Sequence, residues 1–216
     1  MAIRKTSLAI GEFFHIYNRG NDKRIIFDND DDYRHFVKLL YASNSKDGFV
    51  LRDMKKNIFD TSQEDKIVSI GAWCLMPNHF HLILTPIDDD GISKFMQKLS
   101  TAYSMYYNGK YKRSGSLFQG KFKSQHTEND RYLKYLFSYV HLNPVKIIQK
   151  DWKEKGIENK QKAISFLESY KYSSYMDYLG VNRLENKILD KKAFPEYFSS
   201  SEKIKDEIFD WISFDK

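Results

Sequence analysis

The chain has 216 residues, a formal net charge of +6, and 41% hydrophobic and 16% aromatic residues. This length and apolar content allow one compact domain with a packed core and argue against general disorder, while the positive charge favours polyanionic partners. A single cysteine, Cys74, excludes an intrachain disulfide, and no apolar run reaches membrane-spanning length, so we expect a cytoplasmic protein without a membrane partner.

The first part of the chain predicts a strand followed by a helix. Phe13–Arg19 is rich in aromatic and β-branched residues and is closed by Gly20-Asn21, as is typical of a strand. Asp28–Asp32 supplies N-cap and first-turn acids for a helix over Tyr33–Tyr41, which has apolar residues at helical spacing. A strand-like segment over Phe49–Met54 and a polar loop over residues 57–66 follow.

The centre of the chain predicts a pair of antiparallel strands. Ile67–Met76 is a nearly continuous apolar run, as expected of a central strand. Residues 79–85 form the second strand, joined to the first by a tight turn at Pro77-Asn78.

The second half alternates between helices and one further strand. The apolar stripe of residues 92–107 predicts a helix that ends at Asn108-Gly109. A basic loop and an edge strand with a basic face follow over residues 110–126, and residues 127–130 resemble a capping box for a helix over residues 131–142. Pro144 ends that helix, and the last third predicts two more helical patches, around residues 163–167 and 202–211.

This order of elements fits an α+β domain with an antiparallel sheet of the ferredoxin or RNA-recognition (RRM) type and helices mainly on one face. We expect residues 1–146 to form the core domain. Residues 147–216 would form a helical C-terminal extension packed on that core.

Two histidines separated by one apolar residue stand out in the second central strand. Side chains alternate along a strand, so His79 and His81 face the same side while Phe80 faces the core. Neutral imidazoles bind divalent metals, and two on one strand face make half of a metal site. The alternative interpretation is a pair of satisfied surface histidines.

A tyrosine and an asparagine lie four residues apart at the end of the helix over residues 131–142. Tyr139 and Asn143 therefore share one helical face. A tyrosine can attack phosphorus when a cation neutralises the phosphate, and an amide oxygen is a suitable third ligand for Mg²⁺ or Mn²⁺. The alternative is an aromatic stripe of Tyr132, Tyr135 and Tyr139 with Asn143 as a helix cap.

Four segments in order resemble the single-tyrosine HUH transposases, specifically the REP-associated tyrosine transposases. They are Phe14–Gly20, Met76–Leu82, Arg113–Lys123 and Tyr139–Lys146. The resemblance implies a ferredoxin-like core, a divalent metal held by His79 and His81, a nucleophilic Tyr139, and an Asn143 that assists at the metal. Many relatives carry a glutamine where this chain has Asn143.

The resemblance also implies a reaction and a partner. In this family the tyrosine attacks single-stranded DNA and leaves a 5′-phosphotyrosine and a free 3′-OH, a step that can later be reversed to join strands without ATP. We therefore expect a transposase that acts on single-stranded or hairpin DNA. The sequence is also compatible with a homodimer.

Basic and aromatic residues at the end of the first predicted strand and over residues 110–123 are candidates for DNA contacts. The basic residues would bind phosphates and the aromatic rings would stack on bases. The candidates are Arg19, Lys110, Tyr111, Lys112, Arg113, Phe118, Lys121 and Lys123.

Two other functions are compatible with the same sequence. One is a nucleic-acid-binding protein that no longer cleaves. The other is a metal-dependent nuclease in which water is the nucleophile and Tyr139 is structural.

Overall fold

The computed structural model describes residues 8–49, 58–63, 65–197 and 204–210. Of the predicted strand-like segment Phe49–Met54, all but Phe49 lies outside the described residues. The strands are β1 (Phe14–Arg19), β2 (Val68–Met76), β3 (His79–Pro86) and β4 (Lys123–His126). The α-helices are α1 (Asp30–Ala42), α2 (Gly91–Lys110), α3 (Asp130–Leu142), α4 (Trp152–Lys155), α5 (Lys160–Ser169), α6 (Tyr175–Tyr178) and α7 (Ile204–Asp210).

The four strands form one antiparallel sheet in the order β2-β3-β1-β4. With α1 between β1 and β2, and α2 between β3 and β4, this is the ferredoxin-like arrangement in which β3 is inserted between β1 and β2. The predicted α+β class and sheet type are confirmed. Within the described part of the chain, no helix is long and apolar enough to cross a membrane.

Helices cover both faces of the sheet, and not mainly one face as expected, because α3 packs on the face opposite α1 and α2. On one face, α1 and α2 enclose the larger core, in which the rings of Phe36, Phe80 and Tyr103 are fully buried. On the other face, α3 packs against β2 and β3 through side chains such as Leu136 and Phe137. The second face is therefore the one on which a strand side chain can meet a residue of α3.

A glycine in β2 lets α3 approach the sheet closely. Gly71 lies at an irregularity in the pairing of β2 with β3. A Cβ atom at Gly71 would lie 2.9 Å from the rings of both Phe137 and Phe194, far inside contact distance. Because Phe137 and Tyr139 belong to the same helix, this close approach contributes to the distance between Tyr139 and the sheet.

The segment after α3 packs on the same sheet. The backbone N–H of Leu75 donates to Tyr172 O at 2.9 Å, and the N–H of Ser174 donates to Trp73 O at the same distance. A third cluster of buried side chains joins the end of α3 to α4, α5, α6 and α7 and includes Trp152.

The structure corrects two predicted element boundaries. The edge strand is only the four residues of β4, and the predicted stretch before it is irregular apart from an isolated bridge between Gly20 and Phe118. The N-cap of α3 is Asn129, whose side chain accepts from the N–H of Tyr132 at 2.8 Å. Thr127 instead bonds the carbonyl of Phe13.

The predicted acidic helix start contains a buried carboxylate that binds two of the residues predicted to contact DNA. Asp32 is fully buried and accepts hydrogen bonds from Lys110 Nζ at 2.6 Å and from the hydroxyls of Tyr111 and Tyr106 at 2.7 and 3.1 Å. Burial alone would raise the pKa of Asp32, but the bonds from Lys110 and Tyr111 outweigh it and lower that pKa. Lys110 and Tyr111 thus stabilise the junction of α1 and α2.

We expect Asp32→Ala to lower the free energy of unfolding by about 2–4 kcal/mol, because it leaves two tyrosine hydroxyls and the N–H groups of Asp28 and Asn29 without their acceptor. Urea unfolding followed by circular dichroism measures this. Asp31→Ala, an exposed acid in the same first turn, is the matched control and should cost less than about 1 kcal/mol. Equal effects of the two changes would contradict a structural role for the Asp32 cluster.

Candidate functional site

The two histidines of β3 lie on the sheet face covered by α3. Their ring centroids are 5.0 Å apart, and the intervening Phe80 is buried on the opposite face against Phe36 and Phe118. This is the alternation that the sequence predicts. His81 is 6% exposed, whereas His79, at the start of the strand, is partly exposed.

The last turn of α3 brings Tyr139 and Asn143 to the same place. The Tyr139 ring meets His81 edge-on at a centroid distance of 5.6 Å, and Tyr139 is only partly buried. The Asn143 side chain lies beside His79 and donates to the carbonyl of Tyr139 at 3.1 Å. Four side chains from two distant segments therefore meet over β3.

Each histidine of β3 has its Nδ1 atom held by a neighbour. His81 Nδ1 is 2.8 Å from Nε2 of His15 on β1, and His79 Nδ1 is 2.6 Å from Oδ1 of Asn78 in the turn. Nε2 of His81 is buried and has no hydrogen-bond partner among the residues that the structure describes. This is the arrangement of metal-binding histidines, in which one ring nitrogen is oriented by a neighbour and the other is directed at the ion.

The surroundings keep these imidazoles neutral. Burial lowers the pKa of His79 to about 4, and the charge of Lys146 contributes to this lowering. Burial also lowers the pKa of His81 well below 6.5, with the neighbouring His15 as the next cause. A neutral imidazole offers the lone pair that a metal ion requires.

Three cationic side chains surround the histidines. Arg19 and Lys146 act electrostatically on His79, and Lys153 of α4 acts on His81 and lies 4.9 Å from the centroid of the Tyr139 ring. All three residues are exposed. The site therefore combines neutral imidazoles with a positive rim suited to a phosphate group.

Apart from Lys110 and Tyr111, which bind Asp32, the six residues predicted to contact DNA fall into three groups. Arg19, Lys112, Lys121 and Lys123 are exposed. The guanidinium of Arg113 lies over the Tyr107 ring at 5.7 Å from its centroid. Phe118 was wrongly predicted as a stacking platform, because its ring is 5% exposed and packs against Phe80 and Tyr103.

A cavity of about 300 Å³ lies beside β1 and β4. It is lined by Asn18, Arg19, Gln119 and Lys123, and the Arg19 side chain donates to Gln119 Oε1. Two of the predicted DNA contacts, Arg19 and Lys123, therefore share one cavity.

Sequence reasoning missed several residues of the site. His15 and Asn78 lie inside two of the motif segments, but nothing in those segments assigns them as partners of His81 and His79. Lys146 ends the fourth motif segment and Lys153 lies in the more polar stretch after it, and the position of Lys153 depends on how that stretch folds back over Tyr139.

The sequence and the structure were compared with known protein families and solved structures. A model of the family described as "Transposase IS200 like" matches residues 18–143, more than half of the chain and a range that includes both histidines, Tyr139 and Asn143. A search of curated proteins found no match. A solved structure described as a REP-associated tyrosine transposase bound to a REP hairpin superposes with a TM-score of 0.51 at 16% identity, covering 92% of this chain and 99% of that one. By the family match, this chain is a member of the IS200-like transposase family, the single-tyrosine HUH transposases.

Proposed function

We propose that this transposase cleaves and rejoins single-stranded DNA through a 5′-phosphotyrosine at Tyr139, with a divalent metal, Mg²⁺ or Mn²⁺, at His79, His81 and Asn143. The observation that carries the proposal is the meeting of the half-buried Tyr139 ring with the His81 ring, and of Asn143 with His79, on one face of the sheet. The family match supports the same chemistry.

The donor set fits a hard divalent cation. Within the described ranges, no group of three or more His, Cys, Asp or Glu side chains is arranged to hold a metal. With two imidazoles and one amide oxygen as ligands, several coordination positions would remain for water and phosphate oxygens, as Mg²⁺ and Mn²⁺ sites commonly keep. The buried Nε2 of His81 is the atom that most needs such a partner.

The proposed cleavage step assigns separate roles to the cation and to Tyr139. A bound cation would polarise the scissile phosphate and balance its developing charge. Tyr139 Oη forms a bond to phosphorus and releases its proton, while the bond from phosphorus to the 3′-oxygen breaks and that oxygen takes up a proton. The product is a 5′-phosphotyrosine and a 3′-OH, and attack by a 3′-OH reverses the step.

The exposed cations provide a path for the DNA strand. Lys146 and Lys153 lie beside the histidines and Tyr139, where they can bind the phosphate under attack. Arg19 and Lys123 line the cavity beside β1 and β4, which can hold a neighbouring nucleotide. The fold of the hairpin-bound neighbour supports hairpin DNA as the substrate and the REP-associated branch as the subfamily.

The C-terminal segment contributes to this site, which supports a catalytic unit of residues 1–146 completed by an extension of residues 147–216. The ring of Trp152 lies 6.4 Å from that of Tyr139, and Lys153 follows it in α4. The extension thus holds the nucleophile from the side away from β3.

Cleavage of end-labelled DNA tests the proposal against its rivals. Protein, Mn²⁺ and a labelled hairpin with single-stranded flanks are incubated and resolved on a denaturing gel. We expect a protein–DNA adduct in which the fragment downstream of the break is attached through its 5′-phosphate, while the upstream fragment is released with a free 3′-OH. Cleavage without adduct would indicate a water nucleophile, and binding without cleavage would indicate a DNA-binding protein; either result would contradict the proposal.

The low pKa values predict metal binding that persists in mild acid. An exposed histidine with a pKa of 6.5 loses about tenfold in metal affinity at pH 5.5 through competition with protons. Because the pKa of His79 is about 4 and that of His81 is also lowered, we expect the Mn²⁺ affinity to change less than about threefold between pH 7.5 and 5.5. Calorimetric titration measures this, and a tenfold or larger loss at pH 5.5 would contradict it.

A further inference from the structure

A third histidine contacts the pair on β3 without belonging to it. His15 of β1 is 5% exposed, and its Nε2 lies 2.8 Å from His81 Nδ1. The two rings are nearly parallel, with planes at 17° and centroids 5.0 Å apart. The Tyr17 ring, 5.0 Å from that of His15, lies beside them on the same strand. His15 is thus held in place by the pairing of β1 with β3.

The proton in this hydrogen bond decides what His81 can bind. If His81 Nδ1 carries the proton and His15 Nε2 accepts, His81 Nε2 has an unshared lone pair. If His15 Nε2 donates instead, His81 Nε2 carries a hydrogen and cannot coordinate a metal. The two arrangements have the same heavy-atom distance, so the chemistry of the other ring nitrogen distinguishes them.

The surroundings of His81 Nε2 favour the first arrangement. That atom is buried and has no partner in the described part of the chain. A hydrogen there would be a buried donor without an acceptor, which folded proteins rarely tolerate, whereas a lone pair directed at a cation site is used once the ion binds.

We propose that His15 is a positioning residue. It accepts the Nδ1 hydrogen of His81, fixes the ring and the tautomer of His81, and so presents the His81 Nε2 lone pair to the divalent metal. This inference rests on the metal-binding role of His81 proposed above. His15 itself touches neither metal nor substrate, and its effect passes through His81.

The tautomer can be read directly in the metal-free protein. Long-range ¹H–¹⁵N correlation spectra of histidine-labelled protein, with His81 assigned by His81→Gln, are expected to show its proton on Nδ1. A proton on Nε2 would overturn the proposal. Because this measurement needs neither metal nor DNA, it is informative even if the wild-type protein binds no Mn²⁺, a result that would contradict the proposed function instead.

Variants test the consequence for metal binding. His15→Leu removes the acceptor and should weaken Mn²⁺ binding by about 10- to 100-fold in calorimetric titration. His15→Gln keeps an oxygen near the position of Nε2 and should stay within about threefold of wild type. His141→Leu is the matched control, because His141 is also buried but hydrogen-bonds to Ser174 Oγ at 2.8 Å, and it should leave the affinity unchanged.

Two outcomes would contradict the positioning role. One is a folded His15→Leu protein with wild-type Mn²⁺ affinity. The other is a His15→Gln protein that is folded but as weak as His15→Leu. If His15→Leu does not fold, the tautomer of His81 and the affinity of His15→Gln decide the question.

Discussion

Tyr139→Phe is expected to abolish the protein–DNA adduct and to reduce strand cleavage at least a thousandfold, which corresponds to about 4 kcal/mol of lost transition-state stabilisation. The change removes only the oxygen that forms the bond to phosphorus. The ring still packs between His81 and Trp152, so the fold and the metal site should persist. The measurement is single-turnover cleavage of a labelled hairpin with Mn²⁺, resolved on a denaturing gel.

Two neighbouring tyrosines provide matched controls. Tyr17 lies on the same sheet face with its ring 5.9 Å from that of His81, and Tyr135 precedes Tyr139 by one helical turn. Tyr17→Phe and Tyr135→Phe should both retain the adduct. An adduct that survives Tyr139→Phe but not Tyr17→Phe would assign the nucleophile to β1 and refute the proposed role of the helix.

His81→Ala is expected to weaken Mn²⁺ binding at least 100-fold and to remove cleavage, because it deletes a ligand whose orientation is fixed by His15. The same change should leave hairpin binding largely intact, since the exposed cations that bind phosphates remain. Calorimetric titration measures the metal affinity, and fluorescence anisotropy with labelled DNA measures the binding.

A second variant, His81→Gln, separates the loss of a metal ligand from the loss of the fold. His81 is buried, and removing its ring leaves a cavity beside His15 and Tyr139. His81→Gln fills most of that space without an imidazole, and it should unfold close to the wild-type temperature while losing metal. If both variants unfold at room temperature, or if His81→Gln keeps its metal affinity, the histidine is a core residue and not a ligand.

The sequence predicts local features of the site well. The alternation of His79, Phe80 and His81 follows from the two-residue period of a strand, and the structure shows it. The spacing of Tyr139 and Asn143 similarly places both on one helical face. These predictions depend only on neighbours within one element.

Contacts between distant segments could not be predicted in this way. The position of α3 over β3 depends on Gly71, which admits Phe137 and Phe194 to the sheet. The contact of His15 with His81 joins residues 66 positions apart and depends on the register of β1 with β3. No pattern within either strand reveals that register.

The sequence also could not reveal the surroundings of two predicted DNA-contact residues. A run of basic residues does not show which of them meets an acid, and Lys110 meets the buried Asp32. The alternation of Phe118 with polar residues suggests an exposed strand, yet Phe118 enters the main core next to Tyr103. In both cases tertiary packing determined the environment.

The most direct test of the account is to identify the residue that becomes attached to DNA. The adduct formed with Mn²⁺ and a hairpin substrate is digested with trypsin and nuclease, and the modified peptide is sequenced by mass spectrometry. We predict a single modified residue, Tyr139, joined to a 5′-phosphate. A phosphate on any other tyrosine, or attachment through a 3′-phosphate with release of a 5′-OH, would contradict the proposed geometry of attack.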